Sequence, residues 1–197
     1  MPSYSDAVHE GEADGAAQPV VFTGLAELRA AAGTELGPTR WFEVAQDRVD
    51  EFARVTEDWQ AIHCDPEVAA TTMFGGTIAH GYLTVALLSR FARELYAISG
   101  TRTVVNYGLN RVRFPAPLPV GGRVRARATV GEATQRGAML EVPVTYTVEL
   151  AGGRRPVLVA ETLILVEAET PSGAVDSADP APAPALSATA PRAHTGA

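Results

Sequence analysis

The chain has 197 residues, 46% of them hydrophobic, a formal charge of −7 and a mean hydropathy of +0.04. That length predicts one domain or a small pair, and no apolar run reaches the about 18 residues of a membrane span, so a soluble cytoplasmic protein without a secretory signal is expected. The single cysteine, Cys64, excludes an intramolecular disulfide; four histidines leave too few soft ligands for a structural zinc site, so no metal is expected; and sixteen basic residues, all arginine, exclude lysine Schiff-base chemistry.

The charge is unevenly placed. Residues 1–18 carry four acids and no arginine, and 171–197 carry two acids against Arg192, which leaves 17 acids and 15 arginines between 19 and 170. A net of −2 there is no acidic binding surface, and no nucleic-acid or membrane partner is expected. Both ends have the composition of disordered chain. The first eighteen residues are small and polar, and the last 27 hold nine Ala and five Pro, too little apolar area to offset ordering entropy. The folded unit is therefore expected at 19–170.

Within it, Gly24 to Ala31 predicts a short helix stopped by Gly33, and Arg40 to Val44 a strand. Asp47 is the expected N-cap of a helix from Val49 to Thr56 with an apolar stripe of Val49, Phe52, Ala53 and Val55. Glu57 to Gly76 has no period. From Thr77 to about Ile98, apolar residues cover most of a helix circumference, the pattern of a buried helix. Thr103–Phe114, Gly122–Val130, Leu140–Leu150 and Pro156–Val166 are predicted strands separated by glycine and proline turns. One antiparallel sheet wrapped around one central helix, an α+β architecture, follows from this order.

Only two histidines, His63 and His80, lie in the folded unit, both beside the predicted buried helix in the irregular stretch where catalytic groups tend to sit. Asp58 and His63, five apart, do not share a helix face and converge only if the chain turns between them. A carboxylate with an imidazole suits general acid/base chemistry. The plain alternative is a capping Asp58 and a satisfied core histidine. Downstream, Gly75-Gly76 and His80-Gly81 lead into the helix N-terminus, where free amides favour a developing negative charge and Gly81 permits close approach of a ligand. Alternatively these glycines only let the helix enter a tight space.

Glu57-Asp58-Trp59-Gln60-Ala61-Ile62-His63-Cys64-Asp65-Pro66, then Phe74-Gly75, then Ile78-Ala79-His80-Gly81 together resemble the signature of the MaoC-like, (R)-specific enoyl-CoA hydratases of the hotdog fold. The resemblance runs from Phe22 to about Val166, takes in the stretch from Asn106 to Pro117, and is closest to actinobacterial single-hotdog members. It implies a hotdog domain, paired as a homodimer, that reversibly hydrates trans-2-enoyl thioesters to (3R)-3-hydroxyacyl thioesters without a cofactor, the acyl group being carried on coenzyme A or acyl carrier protein. Asp58 is then the base that activates a water for attack on C3, His63 assists proton delivery to C2, and the Gly81 amide supplies an oxyanion donor. Ser89 matches a serine that hydrogen-bonds the catalytic aspartate, with close helix packing as its plain alternative. Gln60 and His80 fall among the substrate-binding positions, and His80 is expected to act structurally, satisfying loop carbonyls or amides at the helix start.

Two positions depart from the family pattern: Gln60 stands where Asn is usual, and Ala61 where Pro or a bulky residue is usual. They leave a non-catalytic acyl-thioester-binding protein or accessory subunit as an alternative. A hotdog thioesterase is the other, disfavoured because the predicted helix offers only Glu94 as a carboxylate. Arg111 and Arg113 share one strand face and are candidates for coenzyme A phosphates, against the plain reading of this face and that of Arg123, Arg125 and Arg127 as solvated. Trp59 and Tyr82 are candidates for an acyl tunnel, or plain core.

Overall fold

The computed structural model describes residues 15–169. The expected disordered ends, 1–18 and 171–197, lie outside it except for residues 15–18, which are exposed and irregular, with the Ala17 amide donating to the Pro38 carbonyl at 2.9 Å. No helix among the described residues is long and apolar enough to cross a membrane.

The chain opens with strand β1 (Val20–Thr23), helix α1 (Gly24–Ala30) and short strands β2 (Glu35–Leu36) and β3 (Phe42–Glu43). Helix α2 (Gln46–Thr56) leads to two short helices, α3 (Ala61–Cys64) and α4 (Pro66–Ala70), inside the stretch expected to be irregular. Asp65 explains the second of these: its Oδ1 accepts from the Glu67 and Val68 amides at 3.0 and 3.1 Å, and Pro66 occupies the first helical position. Asp47 is no N-cap. Helix α2 begins at Gln46, three residues before the expected Val49, behind Ala45, so Asp47 sits in its first turn, where its carboxylate accepts from the Arg48 amide.

The central helix is shorter than the apolar run. It is built from α5 (Gly81–Ala86) and α6 (Leu88–Leu95), continued through Leu87, whose amide and carbonyl both make helical bonds. Residues 77–80 are extended, and Tyr96–Ser99 form β4, paired in parallel with β1. The apolar pattern persists past Leu95 because a half-buried strand supplies it there. The helix is also not buried all round: Tyr82, Ala86 and Ser89 form an exposed stripe, whereas Leu83, Leu87, Leu88, Phe91 and Leu95 are buried.

The long strands are β5 (Thr101–Arg113), β6 (Arg123–Val130), β8 (Met139–Leu150) and β9 (Leu158–Ala168), with β7 (Thr134–Arg136) pairing the start of β8. The main sheet runs β2-β6-β8-β9-β5, its long neighbours antiparallel, with β3 also on β6. Alternate residues of β6, such as Val124, Ala126, Ala128 and Val130, turn onto the helix, and Leu140, Val142, Val144, Val148, Ala160 and Ile164 continue that face. Phe91, fully buried, stands at the centre of this contact. Strand β5 is an edge, and Val104, Val105, Tyr107 and Leu109 on it are 41–50% exposed.

Candidate active site

The turn that brings Asp58 to His63 is made at Glu57, which caps α2 with φ of +61°. A non-glycine residue in the left-handed region costs energy and persists where surrounding structure enforces it. Beyond it the His63 amide donates to the Gln60 carbonyl at 2.9 Å, closing the turn of α3 that carries the imidazole inward. The second piece, Thr77 to Ala79, is laced between two loops. The Ile78 amide donates to the Ile62 carbonyl at 3.0 Å, the Ala79 amide to Leu118 at 2.8 Å, and the Val120 amide to the Thr77 carbonyl at 2.9 Å.

Gln46 ties the pieces together. Its Nε2 donates to the His63 carbonyl and its Oε1 accepts from the Thr77 hydroxyl, both at 2.8 Å. Nothing in its sequence context marks this residue, because its role depends on where α2 starts.

Asp58, His63 and His80 each bring a carboxylate oxygen or ring nitrogen within 4.8 Å of the others. His63 is 7% exposed and His80 1%. Their rings lie 3.8 Å apart between centroids, tilted by 31°, and the Phe52 ring stands 5.1 Å from that of His80. Two carbonyls fix the tautomers, since a carbonyl only accepts. His63 Nδ1–H donates to the Ile78 carbonyl at 2.7 Å, and His80 Nε2–H donates to the Asp58 main-chain carbonyl at 3.0 Å. His63 Nε2 and His80 Nδ1 therefore carry bare lone pairs, and His80 Nδ1 is buried with no hydrogen-bond partner among the described residues. Burial is the main reason that the His63 pKa falls below the ordinary 6.5, with His80 adding to the shift and the Ile78 bond and the Asp58 charge opposing it. Three acceptors thus meet with no donor. Groups that share one water at about 2.8 Å with tetrahedral angles stand about 4.6 Å apart, inside the 4.8 Å within which these atoms lie.

A cavity of about 300 Å³ adjoins this cluster, with His63, Gly81, Thr84 and Phe114 in its wall; Asp58 does not line it and is linked to it through His63. A Cβ on Gly81 would stand 2.8 Å from Phe114 Cζ, so the group that comes close to this glycine is an aromatic ring of the protein. Phe114 was not among the expected site residues; the signal for it is its place where β5 must stop before Pro115-Ala116-Pro117.

The structure does not bring every expected residue here. Ser89 makes no hydrogen bond to Asp58: it lies past Leu87 on α6 and lines a second, mainly apolar cavity of about 290 Å³ with Val85, Ala92, Tyr96 and Tyr146. At its wall the Tyr96 and Tyr146 hydroxyls lie 3.2 Å apart, and burial pushes both phenols above their ordinary range. The Gln60 side chain is exposed, and only its backbone serves the loop. Arg111 and Arg113 are exposed on β5, Arg111 opposite Glu161 and Arg113 bonded to the Val112 carbonyl, one residue from the Phe114 cavity. Trp59 and Tyr82, 57% and 77% exposed, are not core and line neither of these two cavities.

Residues 27–151 match the family described as MaoC like domain. The chain is 46% identical over 144 residues to the 3-hydroxyacyl-thioester dehydratase Z of Mycobacterium tuberculosis, a match spanning 73% of this chain and 95% of that protein. It is 42% identical over 146 residues to nodulation protein N of Rhizobium leguminosarum, spanning 73% and 91%. Among solved structures, the unliganded R-hydratase PhaJ1 of Pseudomonas aeruginosa aligns with a TM-score of 0.55 at 25% identity, over 70% of this chain and 83% of that one.

Proposed function

The chain belongs to the MaoC-like domain family, and from that premise we propose that it is a hydro-lyase that adds water reversibly across trans-2-enoyl thioesters to give (3R)-3-hydroxyacyl thioesters. The observation that carries this reading is the convergence of three acceptors without a donor at Asp58, His63 and His80. Water is the reagent that such a site holds. Asp58 takes a proton as the water oxygen bonds to C3, and His63, acceptor to the same water through Nε2, assists return of a proton to C2 on the same face. The net change is H₂O across the double bond, with both side chains restored and no cofactor consumed. We assign to the Gly81 amide the thioester oxygen as charge develops on it; Gly81 lines the same cavity as His63, which supports this role.

The departures Gln60 and Ala61 lose force as reasons for a non-catalytic role, since Gln60 is exposed to solvent. A thioesterase reading lacks its carboxylate: Glu94, the one acid on the helix from Gly81 to Leu95, is held by Arg90 at 3.0 Å and Arg40 at 3.6 Å at the far end. The Ser89 cavity fits the acyl chain, and coenzyme A phosphates fit the exposed Arg111 and Arg113 face better than any buried position. We place a second copy of the chain on the uncovered β5 edge and the Tyr82, Ala86 and Ser89 stripe, because an exposed apolar edge needs cover. The test is loss of enoyl absorbance across a chain-length series of enoyl-CoAs with chiral analysis of the product. A (3R) product supports the reading, and no turnover at any length refutes it.

A further inference from the structure

We propose that Asp58, His63 and His80 form a binding site for Zn²⁺, and that its occupancy switches the hydration reaction off. The cluster contains what a borderline cation needs and lacks what would repel it. It offers two imidazole nitrogens and one carboxylate oxygen within 4.8 Å of one another.

The independent pointer is His80. Its Nδ1 is buried in a residue 1% exposed, and no protein donor reaches it. A lone pair hidden from solvent without a partner is costly, and nothing in the acid/base chemistry above uses it. A bound water satisfies at most two of the three acceptors with its two protons, whereas a cation satisfies all three at once.

The surroundings are those of a ligand set. Each imidazole already donates its other N–H to a main-chain carbonyl, Ile78 for His63 and Asp58 for His80, the arrangement that fixes tautomer and ring orientation at metal sites. Tetrahedral zinc with bonds of about 2.0–2.1 Å needs its donors about 3.3 Å apart, so the three groups must close in from their present spacing, and the His63 and His80 rings must splay. That reorganisation makes the site reversible rather than structural. Three protein donors leave a fourth position for water.

Inhibition follows from which lone pairs the ion takes. With the Asp58 carboxylate and His63 Nε2 both bound to metal, neither accepts a proton from the attacking water. This consequence rests on the hydratase reading; the binding itself does not.

The test titrates the full chain, freed of metal with EDTA and dialysed, with ZnCl₂ by calorimetry and with CoCl₂ by visible absorption. One ion per chain is expected to disappear on Asp58→Asn or to bind at least tenfold more weakly, and likewise on His80→Asn, each variant checked for native circular dichroism. Ions held elsewhere, on His9 or His194, survive both substitutions and drop out of the difference. Cys64→Ser, which removes the soft ligand next in sequence to His63, is expected to leave affinity unchanged. In the parental protein, crotonyl-CoA hydration should fall with the same midpoint as binding and return with EDTA. Binding that Asp58→Asn and His80→Asn both leave intact, or that Cys64→Ser abolishes, overturns the site, and activation by Zn²⁺ overturns the inhibitory role. If the metal-free protein hydrates nothing, the hydratase reading fails by itself, and the calorimetric and Co²⁺ arms still decide the binding site.

Discussion

Two polar clusters in this molecule differ in one respect. On the outer face of β6 and β8, Glu149 accepts from Arg125 Nε at 2.8 Å and faces Arg127 Nε at 3.3 Å, so these three charges meet opposite partners at a partly exposed surface. Around His63 the count fails: two imidazole lone pairs and a carboxylate meet with no donor among the described residues, behind rings that are nearly or fully buried. A satisfied cluster on a sheet surface serves solubility and a few tenths of stability. A buried unsatisfied one is kept for what it binds, because an unmet buried acceptor costs about 1–3 kcal/mol.

Removing an acceptor from the buried cluster should give the largest effect. Asp58→Asn and His63→Gln are each expected to lower kcat for enoyl-CoA hydration by about 10²–10⁴, with native circular dichroism. A stopped or continuous absorbance assay reads this directly, and near-parental turnover in either variant refutes the assignment. His80→Asn is expected to cost less in rate and more in stability. It keeps a hydrogen-bonding side chain but weakens the hold on the Asp58 carbonyl, a loss on the order of 1 kcal/mol visible in chemical denaturation. A collapse of kcat with normal binding of a substrate analogue would place His80 in the proton-transfer set.

These expectations rest on features of unequal visibility in the sequence. The Asp58 and His63 spacing and the Ala79-His80-Gly81 lead into the helix were legible, as was the sheet around a central helix. The convergence was not, because it depends on a left-handed Glu57, on the Ile78 carbonyl and on Gln46 bridging the His63 carbonyl to Thr77, all backbone or long-range facts. The central helix is shorter than its apolar run for a related reason. Tyr96-Ala97-Ile98 continues the apolar run, and only the parallel partner β1 makes it a strand. Ser89 shows the limit of carrying roles by position: it lines the second cavity and makes no hydrogen bond to Asp58.

Acid sharpens the contrast. The folded state holds the His63 pKa below 6.5, chiefly by burial, so the unfolded chain takes up this proton first as pH falls. Stability is therefore expected to be full above about pH 6.5 and to decline below it until the folded-state value is passed, and His63→Gln should flatten that part of the curve in denaturant midpoints measured against pH. A slope of the opposite sign would mean that His63 is stabilised as the cation. The smallest effect belongs to the other cluster. Arg127→Gln is expected to change stability by about 0–1 kcal/mol and to leave kcat as it was, because Arg125 still meets Glu149.

The central claim is that Asp58 and His63 act on one water as one unit, and a double-mutant cycle on crotonyl-CoA hydration tests it most directly. The account predicts that Asp58→Asn with His63→Gln lowers kcat/KM little further than the worse of the two single changes, since either alone already leaves the water without its second acceptor. Losses that multiply, each residue contributing its full factor independently of the other, would contradict it.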